Sequence, residues 1–561
     1  MSEIDDPSYQ LEDVPEEGDH AADPMLPLQP QSGIPSNQSN NSLPFLQDGR
    51  AQTMRRLSTG GGSMGSKISL ELYPERGSKI AIKMGSIADM KPIARKMYIL
   101  TQVLAAISVS IGSMGVGFSA GYTSPAIPSL KADNSTFSIT VEEESWIGSL
   151  MPLSAIVGSI VGGYIIGALG RKMVILLCGP PFVVAWVLIG SAVNIWMIYV
   201  GRSISGFCVG LLTLTLPVYL SETIQPEIRG VLGLLPTTLG NGGILVAYTF
   251  GYLMDWSWLA YAGAVIPVVF TGMMCFVPET PRWYISKGRP IEARSALEWL
   301  RGSDADVETE LSAIEENFET SKREMSSLKD LMNRRLLRPL FNSFMLMLFQ
   351  QLSGINAVIF YSASIFELAG TSLSKFLCSI ILGIVNLFAT LIANSVIDRI
   401  GRKPLLYISS SLMVMSLAGL GTYFYYQEQS QQSKNPEEWG PFLSNMGWLP
   451  LVSLMLYVLA FSLGWGPIPW LFMGEVLPAR VRGPAASFVT CFNWSFSFII
   501  TKTFPGMVKQ MGPCAVFFTF MCIMVVSLLF TILIIPETKG KSLEEIEREM
   551  SGKKAEVNNE L

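Results

Sequence analysis

The 561-residue chain has one histidine, His20, in a polar N-terminal stretch. Imidazole metal sites and imidazole acid–base catalysis are thereby excluded from the apolar body. Charge is also scarce, at 15% Asp, Glu, Lys and Arg against 49% hydrophobic residues, where a soluble domain carries about 25% charged residues. A polytopic membrane protein is the expectation. With a net charge of only -5 and basic residues confined to short clusters between apolar runs, no nucleic-acid surface is indicated. None of the seven cysteines (Cys178, Cys208, Cys275, Cys378, Cys491, Cys514, Cys522) forms a C-x-x-C pair, and all fall in or beside apolar segments. They read as small packing residues, so neither a metal nor a redox cofactor is expected. The first 25 residues lack a basic n-region and an apolar h-region, which predicts no cleavable signal peptide. No Walker-type glycine loop or nucleophile–base pair is present, so neither an enzyme nor an ATP-driven pump is expected.

What is present is a long series of apolar runs. Residues 1–95, rich in Ser, Gly, Pro, Gln and Asn, read as a disordered tail. Its "RRLS" at Arg55–Ser58 offers Ser58 to a basophilic kinase. From residue 98 to 535 the sequence predicts twelve membrane-spanning helices, each long enough for about 30 Å of hydrocarbon. They divide into six-helix halves at 96–278 and 338–536, separated by a charged loop at 279–337 and followed by a short tail at 537–561. The segment from Glu279 to Arg338 carries eleven Lys and Arg residues, whereas that from Lys131 to Ser145 carries only Lys131. The positive-inside rule therefore places both termini and the central loop in the cytoplasm. The sequon at Asn134 then faces outward as a candidate glycosylation site.

The halves repeat each other. "GALGRK" (Arg171) is matched by "DRIGRK" (Asp398, Arg402), "SETIQPEIRG" (Glu222, Arg229) by "GEVLPARVRG" (Glu475, Arg482), and "PETPR" by "PETKG". Such a duplicated bundle is the architecture of an alternating-access carrier. Glu222, Glu475 and Asp398 are expected to meet Arg171, Arg229, Arg402 and Arg482 as the halves close at the cytoplasmic end and to part as they open. A near-surface pair contributes only about 0–1 kcal/mol, which suits a reversible latch.

The seventh run contains "FQQLSGINAVIFY". On an unbroken helix Gln351 and Asn356 point about 140° apart, so a break at Ser353–Gly354 is predicted. The tenth run has a matching interruption, "GWGPIPW", closed by Trp470. Paired interruptions of this kind point to a substrate site. Gln350, Gln351, Asn356, Asn386 and Asn493 lie near mid-membrane, where the reading finds no ionisable side chain. Amides that both donate and accept, beside a stacking aromatic, fit a neutral polyol or sugar. Five neutral hydrogen bonds at about 1 kcal/mol each imply a dissociation constant between about 0.1 and 1 mM.

The combination of "GRK" twice, "PVYLSE", "PETPR", "QQLSGINAVIFYS", "GPIPW", "FNWS" and "PETKG" resembles the sugar porters of the major facilitator superfamily across 98–545. More closely, "GSMGVGFSAGYTSPAIPSL" and "LGWGPIPWLFMGEVLPARVRGPAASFVTCFNWS" resemble the facilitated trehalose transporters of insects. The resemblance implies an all-α membrane protein of two six-helix halves (the major facilitator fold), a trehalose uniporter of the plasma membrane. It implies that Gln350, Gln351, Asn356, Asn386, Trp470 and Asn493 contact sugar, with Trp494 and Tyr361 as neighbours or gates. Thr237 stands where glucose porters supply a glutamine, and Ser462 where many carry a glutamate. Ser119 stands where proton-coupled relatives carry an aspartate, and Met97–Leu130 contains no acid. A hexose facilitator and a non-transporting sugar receptor remain the alternatives.

Overall fold

The computed structural model describes residues 92–132, 138–225, 228, 232–302, 305–323, 334–432, 443, 445–477, 482–541 and 545–546. The chain divides into units 1–80 and 81–561, and every described residue belongs to the second. Among the described residues all regular structure is helical.

Helices α1 (Pro92–Gly121) and α2 (Thr123–Leu130) form the first crossing. They are followed by α3 (Val141–Leu169), α4 (Arg171–Gly190), α5 (Ile195–Thr223), α6 (Leu235–Leu253) and α7 (Trp256–Cys275). The second half comprises α11 (Arg334–Leu352) with α12 (Ile355–Ala369), α13 (Lys375–Ile400), α14 (Arg402–Gln432), α15 (Leu449–Leu463) with α16 (Ile468–Val476), and α17 (Arg482–Leu533). Ten of the described segments are long and apolar enough to cross a membrane. The more polar α6, at 19 residues, spans about 28 Å and adds a crossing. Gly512, at φ 81°, divides the 52-residue α17 into two. The total is the expected twelve.

The break in the seventh crossing falls where the sequence places it. Gly354 adopts φ 89°, a left-handed conformation that favours glycine. A Cβ there would also stand 2.7 Å from the Phe520 ring.

The segment read as a charged loop contains helices instead: α8 (Pro281–Ser286), α9 (Pro290–Arg301) and α10 (Val307–Arg323). Ile285, Ala293, Leu297, Val307 and Leu311 form their own small core, so their charges occupy the outer faces of amphipathic helices. Arg301 fastens this layer to the bundle, donating to both Glu310 oxygens and, at 2.8 Å, to the Thr223 carbonyl at the end of α5.

The paired "PET" motifs act on the paired "GRK" motifs. Glu279 accepts the backbone N–H groups of Lys172 and Thr280, each at 2.8 Å. Glu537 accepts those of Arg402 (3.1 Å) and Lys403 (3.0 Å). Each carboxylate thus occupies the N-terminus of α4 or α14, where unpaired donors and the helix dipole favour negative charge. Burial raises the Glu279 carboxyl above its ordinary range, opposed by these backbone bonds.

Arg202, eight residues into α5, is fully buried. Its guanidinium donates to the Ile147 carbonyl of α3 (3.1 Å), the Ser119 carbonyl of α1 (2.8 Å) and the Thr123 hydroxyl of α2 (2.9 Å). Its charge lies over the Tyr122 ring, 5.8 Å from the centroid. The sequence reading did not single out this cation, which is solvated by neutral oxygens. An Arg202→Lys variant keeps the charge but lacks a planar fork to reach three helices. We expect a lower melting temperature in detergent, read by a thermal-shift assay; an unchanged value removes Arg202 as the tie.

Candidate functional site

The interrupted helices create the site. At the break in the tenth crossing, Gln350 Nε2 donates to the freed carbonyls of Trp465 (2.8 Å) and Gly466 (3.1 Å). At the break in the seventh, the Tyr457 hydroxyl donates to the Ser353 carbonyl at 2.8 Å. Backbone groups with no helical partner are thereby satisfied from the facing helix.

Between the breaks lies a cavity of about 390 Å³, within the range of small-molecule sites. Gln350, Gln351, Asn356, Asn386, Trp470, Asn493 and Thr237 all line it, as do Trp494 and Ser462. The break turns Gln351 and Asn356 toward each other, so that Asn356 Nδ2 donates to Gln351 Oε1. Asn356 also donates to Ser497 Oγ at 2.8 Å, and Gln351 Nε2 to Asn493 Oδ1 at 3.1 Å. Asn493 Nδ2 in turn donates to Gln350 Oε1 at 2.9 Å. The amides therefore form one chain, each held by a bond that an incoming hydroxyl can replace.

Among the described residues Trp494 Nε1 is buried without a hydrogen-bond partner. Its N–H is a donor available to a ligand. Among the described residues none that lines the cavity is ionisable. Sequence reasoning missed Asn241, Thr390 and Asn394, which also line it; their place in the cavity depends on α6 facing α13, which no local pattern shows.

Thr237, at the third position of α6, is exposed, so the cavity opens toward the end of the bundle that carries the "GRK" turns. The other end is shut by contacts between halves. Ser124 and Ser362 hydroxyls meet at 2.7 Å, and the Ala363 N–H donates to Ser124 Oγ at 3.1 Å. Lys502 Nζ donates to Ser145 Oγ at 2.8 Å and lies 3.8 Å from the Trp146 ring centroid. Tyr361 belongs to this seal rather than to the cavity: its hydroxyl donates to the Thr501 carbonyl at 2.9 Å and packs against Gly148.

At the open end, ion pairs form within halves. Arg171 meets Glu222 at 2.8 Å in the first half and Arg402 meets Glu475 at 2.9 Å in the second. Glu475 also accepts the Thr538 hydroxyl at 2.6 Å. Among the described residues Glu222 Oε2 and Arg171 Nε are buried without a hydrogen-bond partner. Ser58, Asn134 and Arg229 lie outside the described residues. Asp398 and Arg482 stand near the end of α13 and at the start of α17, at the same end of the bundle.

The sequence matches the family described as "Sugar (and other) transporter" over residues 105–550. It is 52% identical to a facilitated trehalose transporter, Tret1, of Anopheles gambiae, over 82% of this chain and 58% of that protein. A Tret1 of Polypedilum vanderplanki is 51% identical, over 82% of this chain and 90% of its own length. The chain thus spans about three-fifths of one relative and nearly all of another. Among solved structures, the inward-open xylose transporter XylE of E. coli superposes with a TM-score of 0.65 at 24% identity, covering 79% of this chain and 98% of that one. XylE bound to 6-bromo-6-deoxy-D-glucose also gives 0.65, at 24% identity over 81% and 99%. The latter two establish the fold. The match runs through nearly the whole helical body, and this chain belongs to the sugar (and other) transporter family, as a multi-pass membrane protein with the major facilitator fold.

Proposed function

We propose that this chain is a facilitative, bidirectional uniporter that carries trehalose across the plasma membrane by alternating access. Both termini are assigned to the cytoplasm by the positive-inside rule, which makes the open end the cytoplasmic one. One observation carries the reading: a chain of hydrogen-bonded amides lines a cavity with no ionisable residue among the described ones. A polyhydroxylated neutral solute can exchange every one of those bonds, whereas an ion finds no counter-charge. The names of its close relatives, facilitated trehalose transporters, support trehalose as that solute.

In this reading Gln350, Gln351, Asn356, Asn386 and Asn493 bond sugar hydroxyls, and Trp470 and Trp494 supply apolar faces and one indole N–H. Uniport follows from the surroundings of Arg202, where Ser119 offers a carbonyl and no carboxylate. Among the described residues no carboxylate bonds the Arg202 guanidinium to carry a proton. Arg171–Glu222 and Arg402–Glu475 serve as latch elements that exchange partners when the open end closes, with Arg229, Asp398 and Arg482 as candidate partners. Asn134 is proposed as an outward-facing glycosylation site.

Labelled trehalose uptake in oocytes, normalised to surface protein, tests this. Uptake should saturate between about 0.1 and 1 mM, and differ by less than about twofold between pH 5.5 and 7.5. Half-saturation below about 1 μM contradicts the site, and uptake of glucose alone makes the chain a hexose facilitator. Gln351→Ala or Asn356→Ala should raise the trehalose KM about five- to tenfold, one hydrogen bond each. Thr237→Gln, which narrows the mouth, should shift preference toward monosaccharides; an unchanged trehalose-to-glucose ratio sinks that assignment.

A further inference from the structure

The cavity holds a second set of hydrogen-bonding side chains, of which only Asn386 has been given a role. Asn386, Thr390 and Asn394 recur at every fourth residue of α13 and form a stripe about 12 Å long. On the facing α6, Asn241 Nδ2 donates to Thr390 Oγ1 at 2.7 Å, and Asn241 Oδ1 accepts from Asn386 at 3.1 Å. Asn394 donates to Thr238 Oγ1 at 3.5 Å, and Ser462 of α15 donates to Asn386 Oδ1 at 2.9 Å. Among the described residues this network shares no bond with the chain that joins Gln350, Asn493, Gln351 and Asn356. Both networks nevertheless border one cavity. The first is anchored at the seventh-helix break, and the second extends along α13 toward the open mouth, ending opposite Thr238, next to exposed Thr237.

Two separate amide networks in one cavity offer hydroxyl partners at two places. A solute of two linked rings offers hydroxyls to both, one ring to each network. We infer that the cavity has two sugar subsites, and that Asn241, Thr390 and Asn394 bind the second ring of a disaccharide, nearer the open mouth. The inference rests on the disaccharide reading above and adds the residues that separate a disaccharide from a monosaccharide. Each bond from Asn241 and Asn394 runs between the halves, so a ring hydroxyl that replaces it takes over a partner already poised to donate or accept. The competing account is that these bonds only fasten α6 to α13.

The test measures trehalose KM, Vmax per surface copy and the inhibition constant of glucose for wild type, Asn241→Val, Asn394→Leu and Asn241→Ser. Asn241→Val and Asn394→Leu should each raise the trehalose KM about fivefold with Vmax within about twofold, because one hydrogen bond to bound ligand is lost. The glucose constant should stay unchanged, and Asn241→Ser, which keeps a hydroxyl, should retain most of the wild-type KM. A parallel loss for glucose and trehalose, or a fallen Vmax at constant KM, overturns the second subsite and leaves the trehalose reading standing. Absence of trehalose uptake by surface-expressed wild type overturns both. If Asn241→Val fails to reach the surface, Asn394→Leu decides alone.

Discussion

A peptide group inside hydrocarbon must find a hydrogen-bond partner, and this single requirement organises the second half of the bundle. Interrupting two crossings frees carbonyls from their helical partners. Gln350 and Tyr457 satisfy them from across the helix pair, so side chains usable for ligand binding are also structural members. The remaining amides pair with one another for the same reason. The cavity's polar surface is therefore pre-formed, each amide held near the geometry in which a hydroxyl would meet it, and the entropy of ordering those side chains is spent during folding.

Much of this was legible in the sequence because glycine, proline and amides are conspicuous in apolar runs. The Ser353–Gly354 break, the Gly464–Pro467 break and the convergence of Gln351 with Asn356 follow from local rules of helix geometry. What was not legible depends on which helices face each other. Asn241 and Asn394 become partners of the cavity only when α6 lies against α13. Arg202 reads as one basic residue near a helix end, and only the approach of α1, α2 and α3 reveals its three acceptors. The spacing of Glu222 and Arg229 could not specify that Arg171 would take Glu222 within the same half. The central segment was read by its charge density, whereas its helices follow from the apolar stripe running beneath the charges.

The repeated motifs show how a duplication keeps its geometry. Gly170 and Gly401 both adopt positive φ, which turns the chain sharply into α4 and α14, and the close approach of Glu279 and Glu537 leaves little room for a Cβ at either turn. The motif whose arginines were read as latch partners is thus also a helix-terminus joint, repeated once per half.

The two halves nevertheless differ at matched positions. In the first, the fourth crossing, α5, runs unbroken and Arg202 ties it to three neighbouring helices through one group. In the second, the corresponding crossing is divided into α15 and α16, and among the described residues no fully buried cation ties it. The two copies have diverged: one six-helix unit is braced around a buried cation, the other is interrupted where the amides gather. A solute bound among those amides would meet the interrupted half at its joints and the braced half at the side chains of α6.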